Sequence, residues 1–184
     1  MNNIYNYKYN WKNNEKCKTL FNRLCRIVTK GNKNTVLIEF NNLDREITSK
    51  YAIRRMKMLK VIIAGSRTIT DYELVKKNTI QVFKQLKELG YNVNKNNVEI
   101  VSGHANGVDK LGEQFANQFG LKLTVMKADW SIGNQAGVMR NIDMIKYIKP
   151  DGVLIALIKD NSKGTKHIID TANYHQVPTF YFEV

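Results

Sequence analysis

The sequence predicts an α/β fold: a doubly wound parallel sheet of about five strands with helices on both faces, preceded by a small N-terminal extension holding a helix and a β-hairpin. Three observations lead there. From Lys60 onward, short apolar runs alternate with amphipathic stretches of helical period. The runs are continuously apolar, as befits strands buried on both faces. Loops of small residues follow the first, second and fourth of them, where a strand hands over to the helix that crosses the sheet.

In chain order, residues 1–34 are rich in Asn, Lys and Tyr, and Leu20, Phe21, Leu24, Ile27 and Val28 are spaced as one face of a short helix. Thr35 to Phe40 reads as a strand, Asn41 to Asp44 as a turn and Arg45 to Ser49 as the returning strand of a hairpin. Lys50 to Lys57 (KYAIRRMK) reads as a cationic linker. The pattern changes at Met58, dividing a basic extension (residues 1–57) from the main domain (residues 58–184). There Val61 to Ala64 is the first strand, and Asp71 to Gly90 a helix with Val75, Val82, Phe83, Leu86 and Leu89 on its apolar face. Val98 to Val101 is the second strand; Val108, Leu111, Phe115 and Phe119 form the next helical stripe, closed by Gly120 at a C-cap position. Leu121 to Met126 is the third strand, and Val138, Ile142 and Ile145 mark a helix ending before Pro150. Val153 to Ile158, Thr165 to His175 and Pro178 to Phe182 follow as strand, helix and strand.

With 184 residues, 43% of them apolar and 24% charged, the chain carries enough for one main core and a small appendage. Cys17 and Cys25 match neither a redox pair nor a zinc knuckle, and His104, His167 and His175 share no metal-ligand spacing with them. Neither a metal nor a cofactor is expected, and a cytoplasmic setting is. The first residues are polar and aromatic where an export signal has its apolar core, and no stretch approaches the ~18 apolar residues of a membrane span. The net charge of +13 is unevenly spread: residues 1–57 hold 13 Lys and Arg against 4 Asp and Glu, the remainder 16 against 12. The excess reads either as a compositional Lys and Asn bias or as a nucleic-acid footprint, in which case nucleic acid would meet residues 1–57.

Ligands of such a sheet bind at the carboxyl ends of the strands, near the point where strand order reverses. The loops there are Gly65-Ser66-Arg67, then Ser102 to Asp109 (SGHANGVD), then Asp160 to Thr165 (DNSKGT). Glycine lets backbone N–H groups approach an anion closely and a helix N-terminus adds a favourable dipole, so phosphate is the natural guest. One such loop marks no more than a tight corner; three at one sheet edge point to a ligand.

The order GSR, SGHANGVD, ADWSIGNQAGVMRNIDM and SKGT resembles the SLOG superfamily, most closely its YspA-like branch, over Leu59 to Val184. The superfamily includes the cytokinin-activating phosphoribohydrolases called LOG, the DNA-processing protein DprA and sensor domains for nucleotide-derived messengers. The resemblance implies a Rossmann-like fold and a nucleotide-holding pocket. It implies that Gly65 and Ser66 form the pocket floor and that Arg67 clamps a phosphate. Ser102, Gly103 and Gly107 would shape a second cradle, with Asp109 either capping its helix or holding a ribose hydroxyl. Trp130 would either stack on a base or pack in the core. Arg140 and Asn141, at the start of the following helix, match the family's RN pair, where LOG enzymes place a catalytic arginine. Ser162, Gly164 and Thr165 match the last cradle. Self-association, as a homo-oligomer, is a further implication.

One departure bears on chemistry. LOG enzymes carry PGGxGTxxE, whose glutamate assists cleavage of the N-glycosidic bond; here that position is Ile168, and Asp170 lies about 200° further around the helix. Asp109 and Asp143 are the remaining candidates for a relocated carboxylate. The residues thus favour a module that senses or sequesters a nucleotide or nucleotide-derived ligand. A LOG-like phosphoribohydrolase acting on nucleoside monophosphates through Arg140, and a DprA-like nucleic-acid-binding protein, are the alternatives. Met58 also reads as an original start, and the hairpin followed by KYAIRRMK resembles appendages of phage-encoded proteins, which would place the chain in a host cytoplasm.

Overall fold

In the computed structural model, which describes residues 7–56 and 58–184, the chain divides into two units, Met1–Lys57 and Met58–Val184. The first is built on β1 (Tyr7–Tyr9), β2 (Leu24–Lys30), β3 (Thr35–Phe40), β4 (Arg45–Ser49) and β5 (Ile53–Arg55), with a short helix α1 (Glu15–Leu20) between β1 and β2. The strands form one antiparallel sheet in the order β4-β3-β2-β1-β5. The expected hairpin is present, with Thr35 opposite Ser49 and Glu39 opposite Arg45.

At two places the structure departs from the pattern expected of the sequence. The expected helix stops at Leu20, capped at its start by Asn14, whose side chain accepts from the Cys17 N–H; Leu24, Ile27 and Val28 belong to β2. A register irregularity between Ile27 and Thr29 breaks the alternation of that strand, which left its apolar residues at a spacing that mimics a helix. Nor is Lys50 to Lys57 a plain linker. Lys50–Ala52 is a 3-10 turn whose N-terminus Ser49 caps, and Ile53–Arg55 pairs with β1, closing the second edge; Lys57 lies outside the described residues. Ala52 is drawn into a core with Cys25, Val36, Ile38 and Phe40.

The second unit runs β6 (Leu59–Gly65), α2 (Tyr72–Glu88), β7 (Val98–Ser102), α3 (Val108–Phe119), β8 (Lys122–Val125), α4 (Ala136–Ile148), β9 (Val153–Ile158), α5 (Lys163–Tyr174) and β10 (Thr179–Glu183). All strand pairs are parallel, in the order β10-β9-β6-β7-β8. The alternation of side chains along β6 explains why both faces are covered. Val61 and Ile63 join Val75, Val82, Leu86 and Phe115 of α2 and α3, while Ile62 and Ala64 join Met144, Ile145 and Ile168 of α4 and α5. Gly120 takes the left-handed C-cap conformation at φ 60°. Leu89, expected on the buried face of α2, is instead 70% exposed, because α2 ends at Glu88 and the chain turns away.

The chain first lays down β6, β7 and β8 in one direction and then returns to place β9 on the other side of β6. The switch in direction lies between β6 and β9, so the loops leaving these two strands diverge from a common cleft. No helix among the described residues is long and apolar enough to cross a membrane.

Candidate functional site

At that switch point the loops after β6 and β9, the first turns of α3 and α5, and the second turn of α4 enclose a cavity of about 320 Å³, within the range of small-molecule sites. Nine of the residues singled out in the sequence line it: Gly65, Ser66, Arg67, Asp109, Arg140, Asn141, Ser162, Gly164 and Thr165.

The loops are held to one another by their own polar groups. The Ser66 hydroxyl donates to the Lys159 carbonyl and accepts from the Lys159 N–H, both at 2.8 Å, stitching the end of β6 to the end of β9. Beyond it the Thr68 hydroxyl donates to the Asp160 carboxylate at 3.2 Å. Gly65 permits this approach, since a Cβ there would overlap the Leu157 carbonyl and the Val108 side chain. On α5, Ser162 is the N-cap, accepting from Thr165 through both the backbone N–H (3.5 Å) and the hydroxyl (3.0 Å). Asp160 and Asn161 precede it with φ of 53° and 55°, a left-handed pair that these residue types tolerate better than others.

Asp109 and Arg140 form the charged centre. Their closest atoms, Oδ2 and Nη1, are 3.7 Å apart, with both side chains largely withdrawn from solvent. Arg140 Nη1 also donates to the Gly103 carbonyl and Nε to Asn141 Oδ1 at 3.2 Å. A Cβ at Gly103 would fall on the guanidinium, so glycine is what lets the arginine lie flat against this loop. Asp109 does not cap α3: Gly107 is the N-cap, at φ 79°, where a Cβ would strike the Ser66 carbonyl. The carboxylate instead accepts from the Ala105 N–H at 3.4 Å. Burial pushes the Asp109 carboxyl above its ordinary proton affinity, against the opposing pull of Arg140 and of the Ala105, Gly65 and Gly103 backbone. Burial likewise lowers the Arg140 guanidinium, opposed by Asp109. Both groups are displaced toward their neutral forms, chiefly by burial, with the nearby charge of Arg67 acting on Arg140 in the same direction.

Arg67 stands exposed at the mouth, paired with no carboxylate among the described residues. Asn141 donates toward the Gly164 carbonyl at 3.4 Å and lies 3.3 Å from His167 Nδ1, tying α4 to α5. Arg140 and Asn141 occupy the second turn of α4, which begins at Ala136, rather than its start. Ile168 forms an apolar wall of the cavity.

Four expected residues stand elsewhere. Ser102 is fully buried behind the loop, donating to Glu113 Oε1 at 2.6 Å and accepting from the His104 N–H. Gly103 and Gly107 shape the loops from outside the cavity. Trp130 is 61% exposed in the 3-10 segment Trp130–Gln135, in neither the cavity lining nor the core. Asp143 and Asp170, the other carboxylates considered for chemistry, are exposed and do not line the cavity. Thr68, Ala105 and Lys159 line the cavity too; adjacency to the recognisable motifs is their one signal in the sequence. Among the described residues no cluster of His, Cys, Asp and Glu could hold a metal ion.

Residues 59–133 match the model of the family described as the YspA, cpYpsA-related SLOG family. Among solved structures, the fold is similar to that of DNA processing protein A (DprA) from Streptococcus pneumoniae, with a TM-score of 0.50 and 19% identity over 67% of this chain and 50% of that one. The likeness thus spans half the length of that protein and speaks for the fold. No curated protein matches the chain.

Proposed function

We propose that the second unit, of which residues 59–133 match a SLOG family model, binds a nucleotide or nucleotide-derived ligand in the switch-point cavity and holds it, to sense or to sequester it. The observation that carries this reading is the convergence on one cleft of Arg67, Arg140 and Lys159 with the N-terminal turns of α3 and α5. Cations and helix N-termini together select a phosphate-bearing guest. Arg67, free at the mouth, reaches a phosphate; the first turn of α5 offers backbone N–H groups; Arg140, already turned toward the Gly103 carbonyl, supplies positive potential from beneath. Ile168 favours holding over cleaving. It places an alkyl group on the cavity wall at the position where LOG enzymes carry their glutamate.

Asp109 supports a second reading, N-glycosidic hydrolysis, because it is a cavity carboxyl whose proton affinity burial raises, as an acid catalyst requires. One experiment separates the two. Native mass spectrometry of the purified protein should find an intact phosphate-bearing ligand, released on denaturation and lost in Arg67→Ala. Incubation with a panel of nucleoside monophosphates should release no free base. Base release abolished by Asp109→Asn would establish the hydrolase instead, and absence of both retention and affinity for any nucleotide would refute the site.

A further inference from the structure

The first unit contains a cavity of its own, about 480 Å³ in volume, at the end of its antiparallel sheet. Its floor is apolar, from Tyr7 of β1, Ile27 of β2, Val36 of β3 and Ile53 of β5. Its rim carries Lys30, Lys33 and Lys50, and the Tyr51 ring stands beside them, 63% exposed, with the Lys50 ammonium 5.1 Å from its centroid. The 3-10 turn bearing Lys50 and Tyr51 is fixed against the β2–β3 connection by a 2.7 Å bond from the Lys50 N–H to the Asn34 carbonyl. The rim is therefore built by the backbone and is no chance meeting of side chains.

The carboxylates of this unit all have partners away from the groove. Its acidic residues are Glu15, Glu39, Asp44 and Glu46, and each is already engaged: Glu15 by Lys18, Glu39 by Arg26 and Arg45, Asp44 by Arg23, and Glu46 by Lys16. Lys30, Lys33 and Lys50 take part in none of these pairs. Among the described residues no carboxylate pairs with them, and they surround an apolar floor and an exposed aromatic ring. An anionic guest with flat, stackable parts satisfies both features: lysines track phosphates, and tyrosine rings accept bases face to face.

We propose that this groove is a second site, which binds single-stranded nucleic acid through Lys30, Lys33 and Lys50 on the phosphates and Tyr51 on a base. It lies within the first unit and does not depend on the nucleotide reading of the other unit's cavity.

The test uses the full chain and a fluorescein-labelled oligothymidylate, followed by anisotropy over a range of salt concentrations. Wild-type binding should weaken with salt. The variant Lys30→Gln/Lys33→Gln/Lys50→Gln, all at exposed positions, should reduce the slope of log K against log salt by about 2, for three phosphate contacts at roughly 0.7 each on single strands. Tyr51→Ala should weaken binding on the order of ten-fold and Tyr51→Phe should restore it. A control with the same charge loss among exposed lysines of the other unit, Lys84→Gln/Lys87→Gln/Lys95→Gln, should leave the slope unchanged. Undetectable oligonucleotide binding by the wild type would overturn the proposal, as would equal effects of the two triple variants. Polyglutamate competing as well as unlabelled oligothymidylate would assign the groove to acidic proteins and overturn it too.

Discussion

Replacing Arg140 with methionine tests the charged centre of the cavity, because it removes the guanidinium and keeps most of the aliphatic volume. Asp109 would then be a buried carboxylate with its cation gone, held by backbone N–H groups alone. Breaking a buried pair at one end typically costs about 3–5 kcal/mol, which for a domain of this size lowers the melting temperature by about 10 °C or more. The sign of the pH dependence is diagnostic. The folded-state proton affinity of Asp109 is already raised above its ordinary value of 3.8, and loss of Arg140 raises it further. Such a group leaves stability intact below that ordinary value and erodes it as pH rises through the folded-state value. The variant should therefore unfold near the wild-type temperature in acid and fall progressively behind toward neutrality. Adding Asp109→Asn should recover much of the loss, since the amide keeps an acceptor for the Ala105 N–H and carries no charge. Differential scanning fluorimetry across pH on wild type, both single variants and the double variant gives the full cycle. A deficit independent of pH, or a double variant no better than Arg140→Met, would refute the assignment of a buried, Arg140-dependent carboxylate.

Other consequences are independent of that one. Ile168→Glu places a carboxylate on the wall of the cavity that Arg67, Arg140 and Lys159 also line; if an anionic ligand is held there, it should weaken retention at least ten-fold at neutral pH, read by calorimetric titration, and unchanged affinity would place the ligand elsewhere. In the first unit, hydrogen bonds from Arg26 and then Arg45 depress the Glu39 carboxyl below its ordinary value of 4.5. Its contribution is thus present above that value and lost as pH falls through the folded-state one. Fluorescence of Trp11, which packs on that core, followed in a Trp130→Phe background, should show acid unfolding that Glu39→Gln makes less steep. Both cysteines are buried, and desolvation pushes the Cys25 thiol up to about 11. A disulfide reagent at pH 8 should modify neither until the unit unfolds, and prompt labelling of the native protein contradicts the packing.

The parallel sheet was legible because strands buried on both faces must be apolar without interruption, and because each is followed by the small residues its crossover needs. β7 and β9 could be read to within a residue or so for that reason. The first unit was half legible for the opposite reason. Its hairpin announces itself through Asn41 to Asp44, but β1 and β5 are three residues each, too short to establish a period. In β2 the irregularity after Ile27 erases the alternation that would have separated strand from helix. At the site, motif spacing located the loops without fixing where each side chain points. Ser102 and Gly103 have the chemistry of a phosphate cradle, yet one anchors Glu113 from behind and the other clears space for Arg140. Trp130 precedes a segment interrupted at Gly133, at φ 75°, and a glycine in that conformation breaks any helical register that would predict the direction of the indole.

The cross-links between loops carry a last consequence for the mode of binding. Ser66 with Lys159, Thr68 with Asp160, Arg140 with Gly103 and Asn141 with Gly164 join the separate walls of the cavity using protein groups alone. A ligand entering such a cleft need not order it, so little conformational entropy is lost on binding and affinity can come from few contacts. That economy suits a small cavity of about 320 Å³. Arg140 is likewise held in position by Asp109 and Gly103 before any anion arrives, and a negatively charged guest beside it would add an attraction opposing the desolvation that lowers the guanidinium.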